Sequence, residues 1–158
     1  MGKIKSLEEL AEIIKQERKK GRKVVLANGV FDLLHVGHIR YLKEAKSLGD
    51  ILIVAVNDDH SARLIKGEER PLVPEEERIE VLSAISYIDY LVKFSQPTVE
   101  KIISTLRPDI QAKGTDYTIE TVPEREAVRS YGGEIAITGD PKLHSTSAIL
   151  GKMKAKEH

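Results

Sequence analysis

Residues 23–38 read KVVLANGVFDLLHVGH. The apolar, largely β-branched run VVLA at 24–27 has the character of a strand covered on both faces. A helical pattern over about 37–48, ended by Gly49, carries the chain to a second such run, ILIVAV at 51–56. Strand, helix and strand at this spacing form a β-α-β unit, whose two strands run parallel because the helix returns the chain to its starting end.

The same alternation continues. A helix is expected after Pro74, a strand at 90–94 (YLVKF), a helix from Pro97 to Leu106 and a strand at 109–112 (DIQA). A helix around PEREAVRSY, closed by Gly132 and Gly133, and a strand at 134–137 (EIAI) follow, with a last helix starting near Ser145. Upstream, Ser6 and Glu9 make an S-x-x-E capping box for an amphipathic helix carrying Leu7, Leu10, Ile13 and Ile14 and stopped by Gly21. Five strands with helical crossovers predict an α/β, doubly wound, Rossmann-like five-stranded parallel sheet in a single domain. Residues 1–22 are then an N-terminal helix packed on a domain formed by 23–158.

Composition narrows the function classes. With 25 Lys and Arg against 25 Asp and Glu, the formal net charge is zero, so a general basic field for nucleic acid is absent and any anion site is local. The chain has no cysteine, hence no disulfide or thiolate chemistry, and its start lacks the apolar core of a signal peptide. No apolar run reaches the roughly 18 residues that cross a bilayer. The expectation is a cytoplasmic protein without membrane or nucleic-acid partners, in a chain too short for a fused second enzyme.

Ligands of doubly wound sheets bind beyond the carboxyl ends of the strands, and Asn28 to His38 lie there. Gly29 lets the backbone approach a ligand, and Gly37 does so in the first turn of the helix. The unpaired N–H groups of that helix start attract phosphate. His35 and His38, three apart, share one helix face and can point at one anion, where two imidazoles stabilise charge that grows during phosphoryl transfer. Other readings exist for each residue. Phe31, Leu33, Leu34 and Ile39 suit a core, Asp32 suits a helix cap or a loop brace, and a histidine pair can hold a metal, although no third ligand is near in sequence. The six fixed positions of G-x-F-D-x-x-H-x-G-H together arise by chance on the order of 10⁻⁶ in a chain of this length, which favours the site.

The stretch GVFDLLHVGH resembles the signature of the cytidylyltransferase-like nucleotidyltransferases, with HVGH as their H-x-G-H motif. The likeness runs over nearly the whole chain after the first helix. Within the family it is to adenylyltransferases acting on D-glycero-β-D-manno-heptose 1-phosphate, carried by VNDD at 56–59, RPLVPEEER at 70–78, AKGTDY at 112–117, ETVPE at 120–124 and GGE at 132–134. Thr115 departs from the K-G-G-D-Y usual there.

The resemblance implies ATP and a sugar phosphate as substrates, Mg²⁺ held mainly by the phosphates rather than by protein ligands, and a homodimer. It implies a backbone cradle of Asn28, Gly29, Val30 and Phe31, with His35 and His38 on the phosphates. Ser145, Thr146 and Ser147 would close over the phosphates from the last helix, a place where the same residues also serve as an ordinary cap. Asn57 and Asp58 fall on the nucleotide's side or, equally, cap a helix. Lys66, Arg70 and Arg78 neutralise triphosphate or sugar phosphate, or are solvated surface cations. Lys113, Gly114, Asp116 and Tyr117 hold the acceptor or the base, or form a polar loop. A cytidylyltransferase for glycerol 3-phosphate or a related polyol phosphate, an FMN adenylyltransferase and a non-catalytic nucleotide-binding regulator are the competing functions.

Overall fold

The computed structural model describes residues 2–140. Strands β1 (Val24–Gly29), β2 (Ile51–Asn57), β3 (Tyr90–Phe94), β4 (Ile110–Lys113) and β5 (Glu134–Ile137) form one sheet in the order β3-β2-β1-β4-β5. Every pairing is parallel. The chain steps outward from β1 to β2 and β3, then crosses back to lay β4 and β5 on the other side of β1. The strand order thus reverses between β1 and β4, where the carboxyl ends open a crevice.

The apolar runs do not alternate with polar residues because helices cover both faces of the sheet. On one face Val24, Leu26, Ile53, Val92 and Phe94 pack with Leu10 and Ile14 of α1 (Leu7–Lys19), Ile102 and Ile103 of α5 (Glu100–Leu106) and Val128 of α6 (Arg125–Arg129). On the other, Val25, Ala27, Leu52 and Val54 meet Tyr41, Leu42 and Ala45 of α2 (Val36–Ser47) and Leu82 of α4 (Glu75–Ser83). Right-handed crossovers demand this division, since helices must change face when the winding reverses direction. The side-chain parity persists beyond the apolar part of the strands. Asn28 lies two residues past Leu26 and Asn57 two past Ala55, while Gln111 pairs in register with Leu26 and Lys113 follows two later, so all four belong to the α1, α5 and α6 face.

The N-terminal segment is tied into the sheet. Leu91 N–H donates to Lys3 O at 2.8 Å and Lys5 N–H to Leu91 O at 2.9 Å, so Lys3 to Lys5 run parallel to β3 and cover its edge. The Ser6 and Glu9 capping box then starts α1, with both reciprocal bonds at 3.1 Å.

Three elements differ from expectation. A helix, α3 (Asp59–Lys66), follows β2, where only the cap reading of Asp58 pointed to one. Its buried residues are Ser61 and Ala62, whereas Leu64 and Ile65 are exposed, so it seats small side chains on the sheet rather than a large apolar face. The helix expected from Pro97 begins only at Glu100, and the one around PEREAVRSY is confined to Arg125–Arg129, preceded by a 3-10 turn at Ile119–Thr121. The last expected helix lies outside the described residues. Among the described residues no helix is long and apolar enough to cross a membrane.

Gly49 joins α2 to β2 where a Cβ would sit 2.8 Å from Val25 Cγ2 and 2.9 Å from the Lys23 carbonyl oxygen. Since a backbone atom must yield, Gly49→Ala is expected to lower stability by about 1–3 kcal/mol, measured by urea unfolding at constant m value.

Candidate active site

The crevice at the β1/β4 reversal is a cleft of about 310 Å³. The turn after β1, the starts of α2 and α5, the end of α3 and the loops after β4 and β5 meet around it. It brings together Asn28, Gly29, Val30, Phe31, His35, Gly37, His38, Asn57, Lys66, Arg70, Lys113, Gly114, Asp116 and Tyr117 from positions 28 to 117 of the chain.

The histidines cap α2 reciprocally. Gly37 N–H donates to His35 Nδ1 at 3.1 Å, and His35 N–H donates to His38 Nδ1 at 3.3 Å. A ring nitrogen that accepts carries no proton, so in the neutral form both imidazoles hold theirs on Nε2. The rings stand 4.2 Å apart between centroids, and His38 also leans on Phe31 at 5.8 Å. Burial, then the neighbouring His35 and Lys66, depress the His38 pKa to about 4, so it is neutral at pH 7. A neutral Nε2–H is a hydrogen-bond donor that is not already neutralised by a protein counter-ion. The first turn of α2 contains no acidic residue to oppose an incoming anion.

The turn before α2 is braced rather than open. Phe31 takes a left-handed φ of 54°, which folds its ring back over Gly29, where a glycine Cβ would lie 3.3 Å from Phe31 Cε2. The missing side chain of Gly29 therefore makes room for Phe31, while its backbone lines the cleft. Asp32 is a loop brace. Its buried carboxylate accepts from Arg70 Nε at 2.8 Å, Leu72 N–H at 2.9 Å and Val73 N–H at 2.9 Å. Burial alone would raise its pKa, but these donors together outweigh burial and hold it below the usual carboxylate range. Arg70 is thereby fixed on the cleft wall, while Lys66 ends α3 on the same side.

Two expected site residues lie elsewhere. Arg78 is 1% exposed and spends its guanidinium on the protein, donating to Val73 O at 2.8 Å, Val30 O at 2.6 Å, Asn57 O at 2.8 Å and Asp59 Oδ1 at 2.8 Å. It clamps the ends of β1 and β2 beneath the cleft and does not neutralise a phosphate there. Asp58 is the N-cap of α3, accepting from Ser61 N–H at 2.8 Å, rather than a residue of the cleft. Ser145, Thr146 and Ser147 lie outside the described residues.

The β4 side joins Lys113 and Tyr117 to groups the sequence left unassigned. Lys113 places its ammonium 4.4 Å from the centre of the Tyr117 ring, and burial lowers its pKa against the opposing charge of Glu124. Thr115, the departure from the usual motif, donates its hydroxyl to Asp140 O and so links the loops after β4 and β5. Tyr41 of α2 donates to Ala112 O at 2.6 Å and ties that helix to β4. Thr98, Glu124 and Asp140 also line the cleft. The available signal was Gln111, a polar residue within the buried strand DIQA, whose amide leads to Glu124 at 3.2 Å.

The chain belongs to the cytidylyltransferase-like family, whose model matches residues 26–149. It is 50% identical over 151 residues to the bifunctional protein HldE of Citrifermentans bemidjiense and 47% identical to that of Geobacter sulfurreducens, covering 96% of this chain and 31% of each relative. The chain thus spans about a third of the length of these curated relatives. A lipopolysaccharide core biosynthesis protein from Thermoplasma volcanium is similar in structure, with a TM-score of 0.62 and 33% identity over 74% of this chain and 94% of that one. Pantoate-β-alanine ligase from Francisella tularensis has the same fold at 17% identity, with a TM-score of 0.67 over 100% of this chain and 79% of that one.

Two measurements check this geometry. Arg78→Met leaves the Val30, Asn57 and Val73 carbonyls and Asp59 without their donor and is expected to cost about 3–5 kcal/mol in urea unfolding. For His38, the unfolded chain takes up a proton near the ordinary 6.5 whereas the folded one resists to about 4. Its contribution is therefore complete above pH 6.5 and is lost as the pH falls from there to about 4. His38→Gln should flatten the stability profile across that window by about 3 kcal/mol relative to the parent.

Proposed function

We propose that the chain is a nucleotidyltransferase that joins the AMP of ATP to D-glycero-β-D-manno-heptose 1-phosphate, giving ADP-heptose and pyrophosphate. The observation that carries the transferase reading is the paired Nε2–H groups at the start of α2, in a cleft at the strand reversal. The heptose reading is supported by the sequence motifs resembling heptose 1-phosphate adenylyltransferases and by the identity to HldE.

The acceptor needs little activation, because the second pKa of a sugar phosphate is about 6 and its oxygen is already largely ionised at neutral pH. That oxygen attacks the α-phosphorus of ATP, a new P–O bond forms, and the bond from the α-phosphorus to the bridging oxygen breaks to release pyrophosphate. His35 and His38 donate Nε2–H to phosphate oxygens whose charge grows in the transition state, and Lys66 and Arg70 add positive charge on one wall. Ser145, Thr146 and Ser147 are assigned to close over the phosphates.

Mg²⁺ would arrive on the nucleotide and spread the triphosphate charge. In this reading phosphate and water, rather than protein side chains, would ligate the ion. A cytoplasmic homodimer completes this reading.

The test is pyrophosphate release across a matrix of ATP and CTP against heptose 1-phosphate, glycerol 3-phosphate and FMN. ATP with heptose 1-phosphate should give the highest kcat/KM, whereas preference for CTP with glycerol 3-phosphate would overturn the assignment. His35→Ala and His38→Ala should each lower turnover by about 10²–10³-fold with the fold intact by circular dichroism. Near-normal turnover in both would refute their roles.

A further inference from the structure

We infer that the α5 and α6 side of the cleft reads the hydroxyls of the acceptor, with Glu124 as the hydrogen-bond acceptor that selects it and Gln111 as the residue that positions Glu124. The inference rests on the transferase reading above and assigns a specificity site within it.

Gln111 stands in β4 where the register and face belong to the apolar core, and it is completely buried. Burying an amide costs free energy unless its groups are bonded, and a leucine would fill the position without that cost. The amide is used for holding: Nε2 donates to Asn28 Oδ1 at 3.1 Å and to Glu124 Oε1 at 3.2 Å. Its Oε1 has no partner among the described residues. Nε2 thus ties the cleft-facing amide of β1 to the carboxylate that precedes α6.

Glu124 is 3% exposed and occupies the N-cap position of α6, yet its side chain makes no cap bond. Instead Oε2 accepts from Val99 N–H at 3.2 Å at the start of α5. The carboxylate is thus gripped from two sides by neutral donors; the Lys113 ammonium acts on it through space, without an ion pair among the described residues. Each oxygen retains accepting capacity, and the residue lines the cleft beside Thr98. With its direct bonds made to neutral donors and Lys113 balancing its charge from a distance, the carboxylate has accepting capacity left for the hydroxyls of a sugar.

The direction of transfer favours the acceptor over the ribose of the nucleotide. Attacking and leaving oxygens lie roughly in line on opposite sides of the phosphorus. With the triphosphate held at the start of α2, as the transferase reading has it, the leaving group lies toward the α2 and α4 face and the attacking group enters from the other. Asn28, Asn57, Lys113 and Glu124 occupy that side.

The test compares wild type, Glu124→Gln and Gln111→Leu in steady-state kinetics with Mg²⁺ and ATP, using the phosphorylated polyol that the wild type consumes fastest. ATP affinity is followed by calorimetry and folding by circular dichroism. The acceptor KM should rise about 10–100-fold in Glu124→Gln, the loss of a charge-assisted bond, and about 10-fold in Gln111→Leu. ATP affinity should stay within about 2-fold. Preference over glycerol 3-phosphate should shrink in both variants. Unchanged acceptor KM, or weakened ATP binding with acceptor KM unmoved, overturns the inference. If Glu124→Gln does not fold, Gln111→Leu decides by the same split. A wild type that ignores heptose 1-phosphate but uses another polyol phosphate removes only the heptose assignment, whereas one that releases no pyrophosphate with any acceptor removes both.

Discussion

The reciprocal cap between His35 and His38 is the constraint on which the site depends. Each imidazole gives its Nδ1 to a backbone N–H, so the cap that starts α2 also decides which nitrogen keeps the proton. A serine or aspartate cap would satisfy the same backbone groups without leaving a second donor on the far side of the ring. Burial then keeps His38 neutral at pH 7, so that it offers the helix start a donor without adding charge. Local structure and chemistry are therefore one arrangement here, and neither histidine can change without altering both.

That arrangement holds only if the turn leading into it is fixed. Arg78 fastens Val30 and Asn57 from beneath, Asp32 gathers the loop carrying Arg70, and the left-handed Phe31 folds its ring over Gly29. Two buried polar groups and one strained backbone angle thus set the position of the donors at the start of α2. On the opposite face of the sheet, Gln111 plays the corresponding part for Glu124. The cleft is rigid where its charge is read and lies at the one place in the strand order where the crossovers part.

Much of this was legible in the sequence. The apolar runs gave strands near their final bounds because both faces are covered, and the H-x-G-H spacing located the α2 start. Burial reverses what local chemistry suggests at Arg78. Arg78 looks like any exposed cation in PEEER, yet three carbonyls and a carboxylate enclose it. Helix α3 was missed because its buried positions are Ser61 and Ala62, which carry little hydrophobic signal. Glu124 escaped because its role depends on Gln111 and Val99, 13 and 25 residues away, a pairing created only by the crossover to β4.

The central claim is most directly tested by the ¹⁵N chemical shifts of the two imidazoles at pH 7, recorded before and after addition of a triphosphate nucleotide with Mg²⁺. The expected result is an unprotonated Nδ1 and a protonated Nε2 in both rings, with the Nε2 resonances moving on nucleotide addition while Nδ1 remains unprotonated. A proton on Nδ1 of either ring in the free protein, or Nε2 resonances indifferent to bound nucleotide, would contradict it.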